Sequence, residues 1–558
     1  MSDTPDFQFK TTPYAHQLKA FHEFKDRDFF ALFADMGTGK SKIAIDVAAW
    51  KFLTGQIDVV LVIAPNNVHT QWIDEQLPAH CPVPYKVFAW RSGKAGNRMY
   101  RSHLQSFLVE PTKRLRFLAV NVEAFQSDSI VATIAEYVKN NTPFIIVDEA
   151  TRIKNRGAKR TKTIHKLNKY GQRCILTGTP TAKSPFDLWS MMELLKANYF
   201  DANFFVFQHR YGVMMQVVNP INGGRYTTLI DERTFSIVKS KLRKVEEQRG
   251  AAGLMPDDYE AVHVMTGISE RDVRFIAQQP MYTQFKRLDE LKAYMERDVF
   301  SLRKEDCLDL PPKVYEKILV DAPPEVRRVY NELKKELLTE YEGKELSVAN
   351  KVALTTRLMQ ITGGFFPFMR EQLEIRGSER LTKLVGDAQP IGEVNAKMVA
   401  LLDDVEEASD EQRIIVWAHF VPELKALYAA LSKKYRCALY YGGTSTQDRD
   451  KIIADFKRGE YKVFIGNAQT AGFGLNLQNA TLQYFYSNTF RTEERLQAED
   501  RSHRNGVKGT VVIKDVIMRN TIDERVFSNI ASGRNLNDYF KQASLKELLT
   551  DSDEEVQF

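Results

Sequence analysis

The 558-residue sequence has few cysteines, no long hydrophobic run and little excess charge of either sign. Its four cysteines are widely spaced and form no C-x-x-C pair, which argues against a zinc ribbon or a disulfide framework and is typical of a reducing cytosol. No apolar run approaches the ~18 residues that a membrane-spanning helix needs. The N-terminal MSDTPDFQFK has acidic residues and no apolar stretch behind a basic one, so we expect no secretory signal. The sequence therefore excludes secreted, membrane and fibrous classes and predicts a cytoplasmic protein.

The amino-acid composition is typical of a globular protein. Apolar residues make up 43% and charged residues 27%, enough apolar material to bury several cores. At about 150 residues per domain, the length predicts three to four domains. Lys and Arg number 78 against 72 Asp and Glu. The net charge of +6 thus indicates no partner by itself, and the local distribution of charge must be examined instead.

Two stretches, 28–190 and 396–530, alternate short apolar strands with helical patterns, which predicts parallel α/β sheets. The strands predicted in the first stretch are 29–35, 59–65, 116–121, 144–149 and 173–178. The strands predicted in the second are 413–420, 437–443, 462–467, 482–487 and 510–517. Several end in turn-prone or polar residues, and ligands of open α/β sheets bind at the carboxyl ends of strands.

The region between these stretches has a different pattern. Residues 200–310 are polar, with a hairpin expected at 218–229, and 322–360 has the pattern of long amphipathic helices. LPPK (310–313) is expected to be a linker, because consecutive prolines block a helix. The acidic tail DSDEEVQF is expected to fray.

The segment ADMGTGKS (34–41), after the first predicted strand, has the P-loop pattern with Ala34 in place of the usual first glycine. Gly37 and Gly39 would let backbone N–H groups curl around phosphate oxygens. Lys40 would reach the β- and γ-phosphates, and the Ser41 hydroxyl would bind Mg²⁺. A chance glycine-rich turn is the alternative, but the strand before the segment and the helix after it favour a phosphate site.

FIIVDEAT (144–151) is an apolar strand that ends in two adjacent carboxylates. Asp148 is the candidate Mg²⁺ ligand, and Glu149 is the candidate base that orients and deprotonates the attacking water. A strand ending in Asp-Glu is also common at a surface edge, so this motif alone is weak. Because it lies downstream of a P-loop, the catalytic interpretation is favoured.

EERLQAEDRSHRNG (493–506) has Gln497, Arg501 and Arg504 at i, i+4 and i+7, which predicts that they share one helix face. A solvated charged helix is the common structure of such a run. The functional interpretation is that Arg501 and Arg504 are arginine fingers that reach a γ-phosphate held by the first α/β region.

Residues 151–173 hold nine Lys or Arg and no Asp or Glu. Basic clusters neutralise phosphates and bind nucleic acid without reading its sequence. A soluble surface usually has acidic residues interspersed, so their absence here favours DNA binding. The candidate DNA contacts are Lys154, Lys159, Arg160 and Lys162.

Four other residues have simpler interpretations. Trp72 and Trp417 could be base-stacking platforms, but their apolar contexts favour packing in a core or between lobes. His503 is expected to be structural, and Cys174 begins a buried strand and is expected to be inert.

Nine segments, in order, resemble the Swi/Snf branch of the superfamily-two helicases, which are DNA-dependent ATPases with two RecA-like lobes. They are TPYAHQ (12–17), ADMGTGKS (34–41), VIAPNNVHTQW (62–72), DEATRIKN (148–155), LTGTP (176–180), IIVWAHF (414–420), GGTSTQDRD (442–450), AQTAGFGLNLQNA (468–480) and QAEDRSHRNG (497–506). LTGTP, the arginine-rich last block and VIMRNTIDERV (516–526) resemble this branch rather than DEAD-box RNA helicases. The resemblance covers most of the chain.

The resemblance implies ATP and Mg²⁺ as cofactors and assigns roles by position. Gln17 would hydrogen-bond the adenine edge, and Asp148 and Glu149 would catalyse ATP hydrolysis together with Lys40. The remaining nucleotide-binding residues would be Gly37, Thr38, Gly39, Ser41, Gly472 and Gln497. The residues that couple hydrolysis to lobe movement and DNA would be Thr177, Thr179, Gly474 and Asn476. Arg501 and Arg504 would complete the site from the second lobe.

The implied fold class is α/β, with two RecA-like parallel-sheet lobes and mainly helical insertions between them. The first lobe would span 1–190 and its insertion 191–310. A linker and a helical insertion of the second lobe would span 311–395, the second lobe 396–530, and a C-terminal tail 531–558. Thr151 stands where the family usually has histidine, a difference that bears on coupling to DNA more than on hydrolysis.

The resemblance implies an ATP-dependent translocase on double-stranded DNA, including forked or branched DNA, of a minimal bacterial or viral type in a prokaryotic or infected-host cytoplasm. One alternative is a strand-separating helicase or a branch-migration or annealing motor. Strand separation needs a wedge element, which the sequence does not identify, although the insertion at 200–310 could supply one. Another is a catalytically weak nucleic-acid-binding scaffold in a larger complex, against which the intact Lys40, Asp148, Glu149 and Arg504 argue. A third is the motor of a restriction or repair complex.

Overall fold

The computed structural model describes residues 7–531 apart from 67, 110–111, 179–183, 219–222, 251–252, 309, 341–347, 377–378, 394, 410, 472–474, 505 and 508. Its strands are β1 (Phe29–Ala34), β2 (Val59–Ala64), β3 (Tyr85–Ala89), β4 (Leu115–Asn121), β5 (Pro143–Asp148), β6 (Gln172–Thr177), β7 (Met214–Val218), β8 (Arg225–Leu229), β9 (Val299–Leu302), β10 (Lys313–Val320), β11 (Phe365–Arg376), β12 (Glu379–Pro390), β13 (Arg413–Trp417), β14 (Cys437–Tyr440), β15 (Val463–Gly466), β16 (Ala480–Phe485) and β17 (Val511–Met518).

Helices connect these strands. They are α1 (Ala15–Phe24), α2 (Lys40–Leu53), α3 (Val68–Gln71), α4 (Leu77–His80), α5 (Arg98–Val109), α6 (Asp128–Lys139), α7 (Lys159–His165), α8 (Phe186–Leu195), α9 (Phe204–Tyr211), α10 (Glu232–Arg249), α11 (Pro256–Thr266), α12 (Glu270–Gln278), α13 (Leu288–Met295), α14 (Pro324–Glu340), α15 (Val348–Thr362), α16 (Ala396–Glu407), α17 (Val421–Leu431), α18 (Thr446–Lys457), α19 (Ala468–Ala471), α20 (Thr492–Glu499) and α21 (Ile522–Ala531). A π-helical turn, Trp72–Gln76, joins α3 to α4, and 3₁₀ turns lie at Ser92–Lys94, Val122–Gln126, Ala150–Ile153 and Lys166–Lys169.

The chain divides into two compact units. One comprises Met1–Asp35 with Gly39–Cys307, and the other comprises Met36–Thr38 with Leu308–Phe558. We call the first unit lobe 1 and the second lobe 2.

Lobe 1 contains a seven-stranded sheet of order β3-β4-β2-β5-β6-β1-β9 in which every pairing is parallel. Its central strands β2 and β5 are buried at every residue. A parallel sheet is covered on both faces, which explains why these strands are continuous apolar runs rather than alternating ones. The strands β1, β6 and β5 are neighbours, so the P-loop, Thr177 and Asp148 follow from adjacent strand ends.

Lobe 2 contains a six-stranded sheet of order β10-β17-β16-β13-β15-β14, again with every pairing parallel. One of its cores lies around α16 and α17, and another around Trp417, Phe464 and Phe485. The two parallel sheets confirm the α/β class predicted from the sequence.

The regions outside these sheets are partly helical and partly β. In lobe 1, the antiparallel hairpin β7–β8 and the helices α10 to α12 enclose a separate apolar core. This hairpin confirms the one expected at 218–229, with strands that begin four residues earlier. The helices expected within 322–360 are confirmed as α14 and α15. The long antiparallel hairpin β11–β12, in contrast, was not predicted, and it adds β structure to a region expected to be helical.

All ten strands predicted for the two sheets are present, with bounds that differ by a few residues. Three sheet strands were missed: β3, β9 and β10. Each is the edge strand of its sheet, and β10 is largely exposed. Edge strands lack the continuous apolar run of a buried strand, so the pattern that identified the others is weak in them. β10 begins at Lys313, so the last residue of LPPK belongs to a strand.

Candidate active site

The loop between β1 and α2 has the conformation that its glycine pattern requires. Gly37 and Gly39 have φ angles of 83° and 89°, in the left-handed region where side chains with a Cβ are strained. The Lys40 ammonium donates to the carbonyl oxygens of Ala34 (2.6 Å) and Asp35 (3.0 Å). Carbonyl oxygens of the loop therefore bind the ammonium group of its own lysine.

The side chain of Gln17 packs against this loop. Gln17 is buried in α1, and its Oε1 accepts a hydrogen bond from the backbone N–H of Tyr14 at 3.0 Å. A Cβ at Gly39 would lie 2.2 Å from Gln17 Nε2. Glycine at this position is thus required both by its φ angle and by the approach of Gln17. The role of Gln17 toward adenine stays a prediction.

Asp148 lies at the carboxyl end of β5 and is almost fully buried. Its Oδ2 accepts the indole N–H of Trp72 at 2.9 Å, and its Oδ1 accepts the backbone N–H of Glu149 at 2.9 Å. Burial raises the pKa of Asp148, while the bond from Trp72, the charge of Lys40 and the bond from Glu149 act in the opposite direction. The carboxylate is thus oriented through both of its oxygens.

Glu149 adopts a left-handed backbone conformation, with φ 50° and ψ 55°, just before the 3₁₀ turn Ala150–Ile153. This conformation is uncommon for a residue other than glycine and is found preferentially at functional sites. Thr177, at the end of the neighbouring strand β6, is fully buried. Thr179 lies outside the described residues.

In lobe 2, the prediction that Gln497, Arg501 and Arg504 share one helix face was wrong. Helix α20 ends at Glu499, and both arginines follow it in a turn. The carbonyl oxygen of Arg501 accepts the backbone N–H of Leu477 at 3.0 Å, which ties it to the neighbouring chain segment rather than to a continuing helix. A periodicity in sequence cannot reveal such a tertiary bond.

The two arginines nevertheless converge. Arg501 Nη1 and Arg504 Nη1 both donate to the carbonyl oxygen of Leu475, at 3.4 and 3.1 Å. Asn476 is the next residue, so this predicted coupling residue lies beside the predicted arginine fingers. Gly472 and Gly474 lie outside the described residues.

A buried network of charged groups surrounds α20, and sequence reasoning missed it. Arg495 donates to both carboxylate oxygens of Asp515 (2.5 and 2.8 Å) and to Glu499 Oε1 (2.8 Å). Glu499 Oε2 accepts from Lys313 Nζ at 3.0 Å and from the hydroxyl of Tyr315 at 2.9 Å. All of these except Lys313 and Tyr315 are nearly inaccessible to solvent. The i, i+4 spacing of Arg495 and Glu499 was the only available signal, and it is equally common on exposed helices.

The basic segment is less unbalanced in space than in sequence. Lys154 is 3.4 Å from Asp187 and Lys159 is 3.0 Å from Asp128, both acidic residues from outside the segment. Lys162 is exposed on α7, and Arg160 is partly buried. The four predicted DNA contacts therefore differ in their surroundings: Lys159 and Lys162 are exposed, whereas Lys154 and Arg160 are partly buried.

The simpler interpretations of other residues agree with the structure. Trp72 and Trp417 are both buried, and Trp417 Nε1 donates to Gln483 Oε1 at 2.8 Å. The ring of His503 hydrogen-bonds to the carbonyl oxygen of Pro311 at 2.7 Å. Cys174 is fully buried, and burial raises the pKa of its thiol well above the usual range. What the sequence did not show is that Trp72 also donates to Asp148.

No group of three or more His, Cys, Asp or Glu side chains in the described part of the chain could hold a metal ion. No helix among the described residues is both long and apolar enough to cross a bilayer.

Comparison with known proteins identifies two domains. Residues 30–363 match the SNF2-related domain, and residues 395–506 match the helicase conserved C-terminal domain. The chain is 25% identical over 93% of its length to the DNA excision repair protein ERCC-6-like of Mus musculus, and covers 41% of that protein. It is 22% identical over 96% of its length to protein p41 of Acyrthosiphon pisum secondary endosymbiont phage 1, and covers 98% of it.

Further relatives are similar over most of the chain. The chain is 22% identical over 91% of its length to an uncharacterized ATP-dependent helicase of Mycoplasma pneumoniae, and covers 40% of it. It spans only about two fifths of the first curated relatives that it matches. The Sulfolobus solfataricus SWI2/SNF2 ATPase core in complex with dsDNA is 19% identical over 99% of both chains, with a TM-score of 0.36.

The SNF2-related match alone covers more than half of the sequence, and the P-loop and the Asp-Glu pair lie within it. The chain therefore belongs to the SNF2-related family and is an ATPase of the Swi/Snf type within helicase superfamily two.

Proposed function

We propose that this ATPase uses Mg²⁺-ATP to move along double-stranded DNA. The observation that best supports the proposal is the arrangement at the carboxyl ends of β1, β6 and β5. There the P-loop, Thr177 and the Asp148–Glu149 pair follow from neighbouring strands of one sheet. This is the edge of an α/β sheet at which ligands bind.

The residues present fit a magnesium nucleotide. The left-handed glycines and Lys40 form a cradle for phosphates at the start of α2. Ser41 and Asp148 offer a hydroxyl and a carboxylate, and Mg²⁺ commonly takes one or two protein ligands beside phosphate and water. When bound, the ion would neutralise charge on the phosphates. Glu149 then orients and deprotonates the attacking water.

The two candidate arginine fingers belong to lobe 2. Arg501 and Arg504 stabilise the charge that develops on the transferred phosphoryl group. Their common contact with the carbonyl oxygen of Leu475 connects them to Asn476 in the predicted coupling segment. Gln497 belongs to the same nucleotide-binding set, with Gln17 and Thr38.

Duplex DNA is the proposed track, and forked or branched duplexes are further substrates of the same activity. The support is the concentration of Lys and Arg in 151–173 and the similarity of the chain to a DNA excision repair protein. Contacts to phosphates are sufficient for a motor that must pass any base sequence.

Strand separation is a second candidate function, because lobe 1 carries an element that could act as a wedge. The hairpin β7–β8 has an exposed aromatic residue, Tyr226, in its second strand. An exposed aromatic ring is the side chain on which unpaired bases stack.

Steady-state ATP hydrolysis without nucleic acid and with duplex, branched or single-stranded DNA or RNA tests the proposal. We expect stimulation by duplex or branched DNA. Lys40→Ala and Glu149→Gln should reduce the stimulated rate at least a hundredfold while leaving DNA affinity unchanged. Lys139→Ala and Glu136→Gln, both exposed on α6, are the matched controls and should behave as the unmodified protein.

The possible outcomes discriminate between the candidates. Stimulation by single strands or RNA alone would replace the translocase with the helicase. Equal hydrolysis with and without every nucleic acid would contradict the DNA motor. If Glu149→Gln hydrolyses ATP normally, the assignment of the base is wrong.

A further inference from the structure

One hydrogen bond links the candidate metal ligand to a residue that no motif role assigns. The indole N–H of Trp72 donates to Asp148 Oδ2 at 2.9 Å. Trp72 is 1% exposed and comes from the helical segment that follows β2, 76 residues before Asp148 in the sequence. The bond therefore connects two separate elements of lobe 1 at one carboxylate oxygen.

The backbone around Trp72 is unusual. Trp72 begins the π-helical turn Trp72–Gln76, between α3 and α4. Such turns are rare, occur mostly as single widened turns within α-helices, and are frequent at functional sites. The widened turn changes which way the following residues point, so a tryptophan at its first residue is held by the local backbone as well as by the surrounding packing.

The other oxygen of the carboxylate is also held. Asp148 Oδ1 accepts the backbone N–H of Glu149 at 2.9 Å. Each oxygen keeps further lone pairs after accepting one hydrogen bond, so a metal ion can still be bound. Groups that hydrogen-bond to a metal ligand without contacting the metal fix the orientation of that ligand, and their loss typically lowers metal affinity 10- to 100-fold.

We propose that Trp72 is a positioning residue that holds the Asp148 carboxylate in the orientation required for Mg²⁺, so that this ligand is already oriented before the ion binds. This inference rests on the proposed function, because it takes Asp148 to be the metal ligand.

The competing explanation is that Trp72 only fills space in the core. A second tryptophan provides the matched control for it. Trp50, in α2, is also buried, and its indole N–H donates to Asp26 Oδ1 at 2.8 Å. It makes the same type of bond in the same lobe, to an aspartate that is not part of the nucleotide site.

The test measures equilibrium binding of a fluorescent ATP analogue to the full chain in excess Mg²⁺ and in excess chelator. The dissociation constant in chelator divided by that in Mg²⁺ reports how much the ion contributes to binding. We expect Trp72→Phe, which keeps an aromatic ring but removes the donor, to lower this ratio about tenfold. Binding in chelator should not change, which shows that the phosphate loop is intact. Trp50→Phe should leave the ratio unchanged.

A double variant links the effect to Asp148. Asp148→Asn should lower the ratio strongly, and adding Trp72→Phe to it should have no further effect. An effect of Trp72→Phe that is equally large in both backgrounds would overturn the proposal, because it would not pass through the carboxylate. So would a single variant with the ratio of the unmodified protein.

If Trp72→Phe does not fold, benzothienylalanine at position 72 is the second variant. This analogue keeps the shape of tryptophan and replaces the indole N–H by sulfur, so a lowered ratio would support the proposal and an unchanged one would contradict it. The proposed function fails differently. In that case the unmodified protein itself would bind the nucleotide equally with and without Mg²⁺.

Discussion

The two lobes hold their candidate site residues by different means. In lobe 1, the Lys40 ammonium donates to backbone carbonyl oxygens six and five residues before it, within one loop. In lobe 2, the turn with Arg501 and Arg504 follows a helix that is fixed by ion pairs over long distances in sequence. Lys313 and Glu499, for example, are 186 residues apart.

This difference has a physical consequence. Bonds within one loop form whenever the loop adopts its conformation, so a change elsewhere in the sheet affects them little. A buried network of charges is different, because removing one partner leaves another charge without compensation in a medium of low dielectric. The arrangement of the arginines in lobe 2 should therefore depend on residues far from them, whereas the P-loop should not.

The largest expected effect tests that dependence. Arg495→Leu removes the cation that faces both Asp515 and Glu499, and we expect a loss of about 3–5 kcal/mol in the free energy of unfolding of lobe 2. Arg491→Leu is the control, because Arg491 caps the start of the same helix and pairs with Glu494 at 2.6 Å while remaining more than half exposed. Exposed pairs contribute about 1 kcal/mol or less. Calorimetric unfolding of the full chain measures both variants, and equal transition temperatures would contradict the importance of the network.

Two buried glutamates of lobe 2 sharpen the comparison further. Burial raises the pKa of Glu499, but Arg495 and Lys313 outweigh it and leave that pKa below its usual value. Burial raises the pKa of Glu423 to about 7, although Ser487 donates to its Oε2 at 2.5 Å. The charges near Glu423 are those of Lys397 and Asp523, which pair with one another at 2.8 Å. Glu423 therefore lacks a cation of its own.

The sign of the resulting pH dependence follows from linkage. The folded chain keeps a proton on Glu423 that the unfolded chain loses near its ordinary pKa of 4.5. The contribution of Glu423 to the free energy of unfolding is therefore full at low pH and is lost as the pH rises through about 7. The loss amounts to about 2 kcal/mol between about pH 5 and about pH 8. Glu423→Gln should remove that part of the decline, and exposed Glu407→Gln should not. Thermal unfolding across this pH range measures it, and parallel curves for all three proteins would refute the expectation.

The sequence predicted most of the fold for identifiable reasons, and the roles of the candidate residues stay predictions. Buried parallel strands such as β2 and β5 are continuous apolar runs, and the P-loop and Asp-Glu motifs have fixed spacing. The edge strands β3, β9 and β10 were missed because edges lack that run. The turn after α20 was mispredicted, because the Leu477–Arg501 hydrogen bond joins distant segments. The hydrogen bond from Trp72 to Asp148 could not be predicted, because a buried tryptophan has the same sequence context whether or not its N–H reaches a carboxylate.

The smallest expected effect concerns the cations of α7. Lys159 and Lys162 are both exposed, but Lys159 is paired with Asp128, so Lys162 is expected to be the better phosphate ligand. Lys162→Gln should weaken duplex binding a few-fold and reduce the slope of log affinity against log salt by about 0.9. Lys159→Gln should change the slope less, because its charge is already partly compensated. Titration of a labelled duplex at several salt concentrations measures both. If the two variants lose equal slope, pairing with Asp128 does not persist in solution, and if neither loses any, DNA does not bind at this surface.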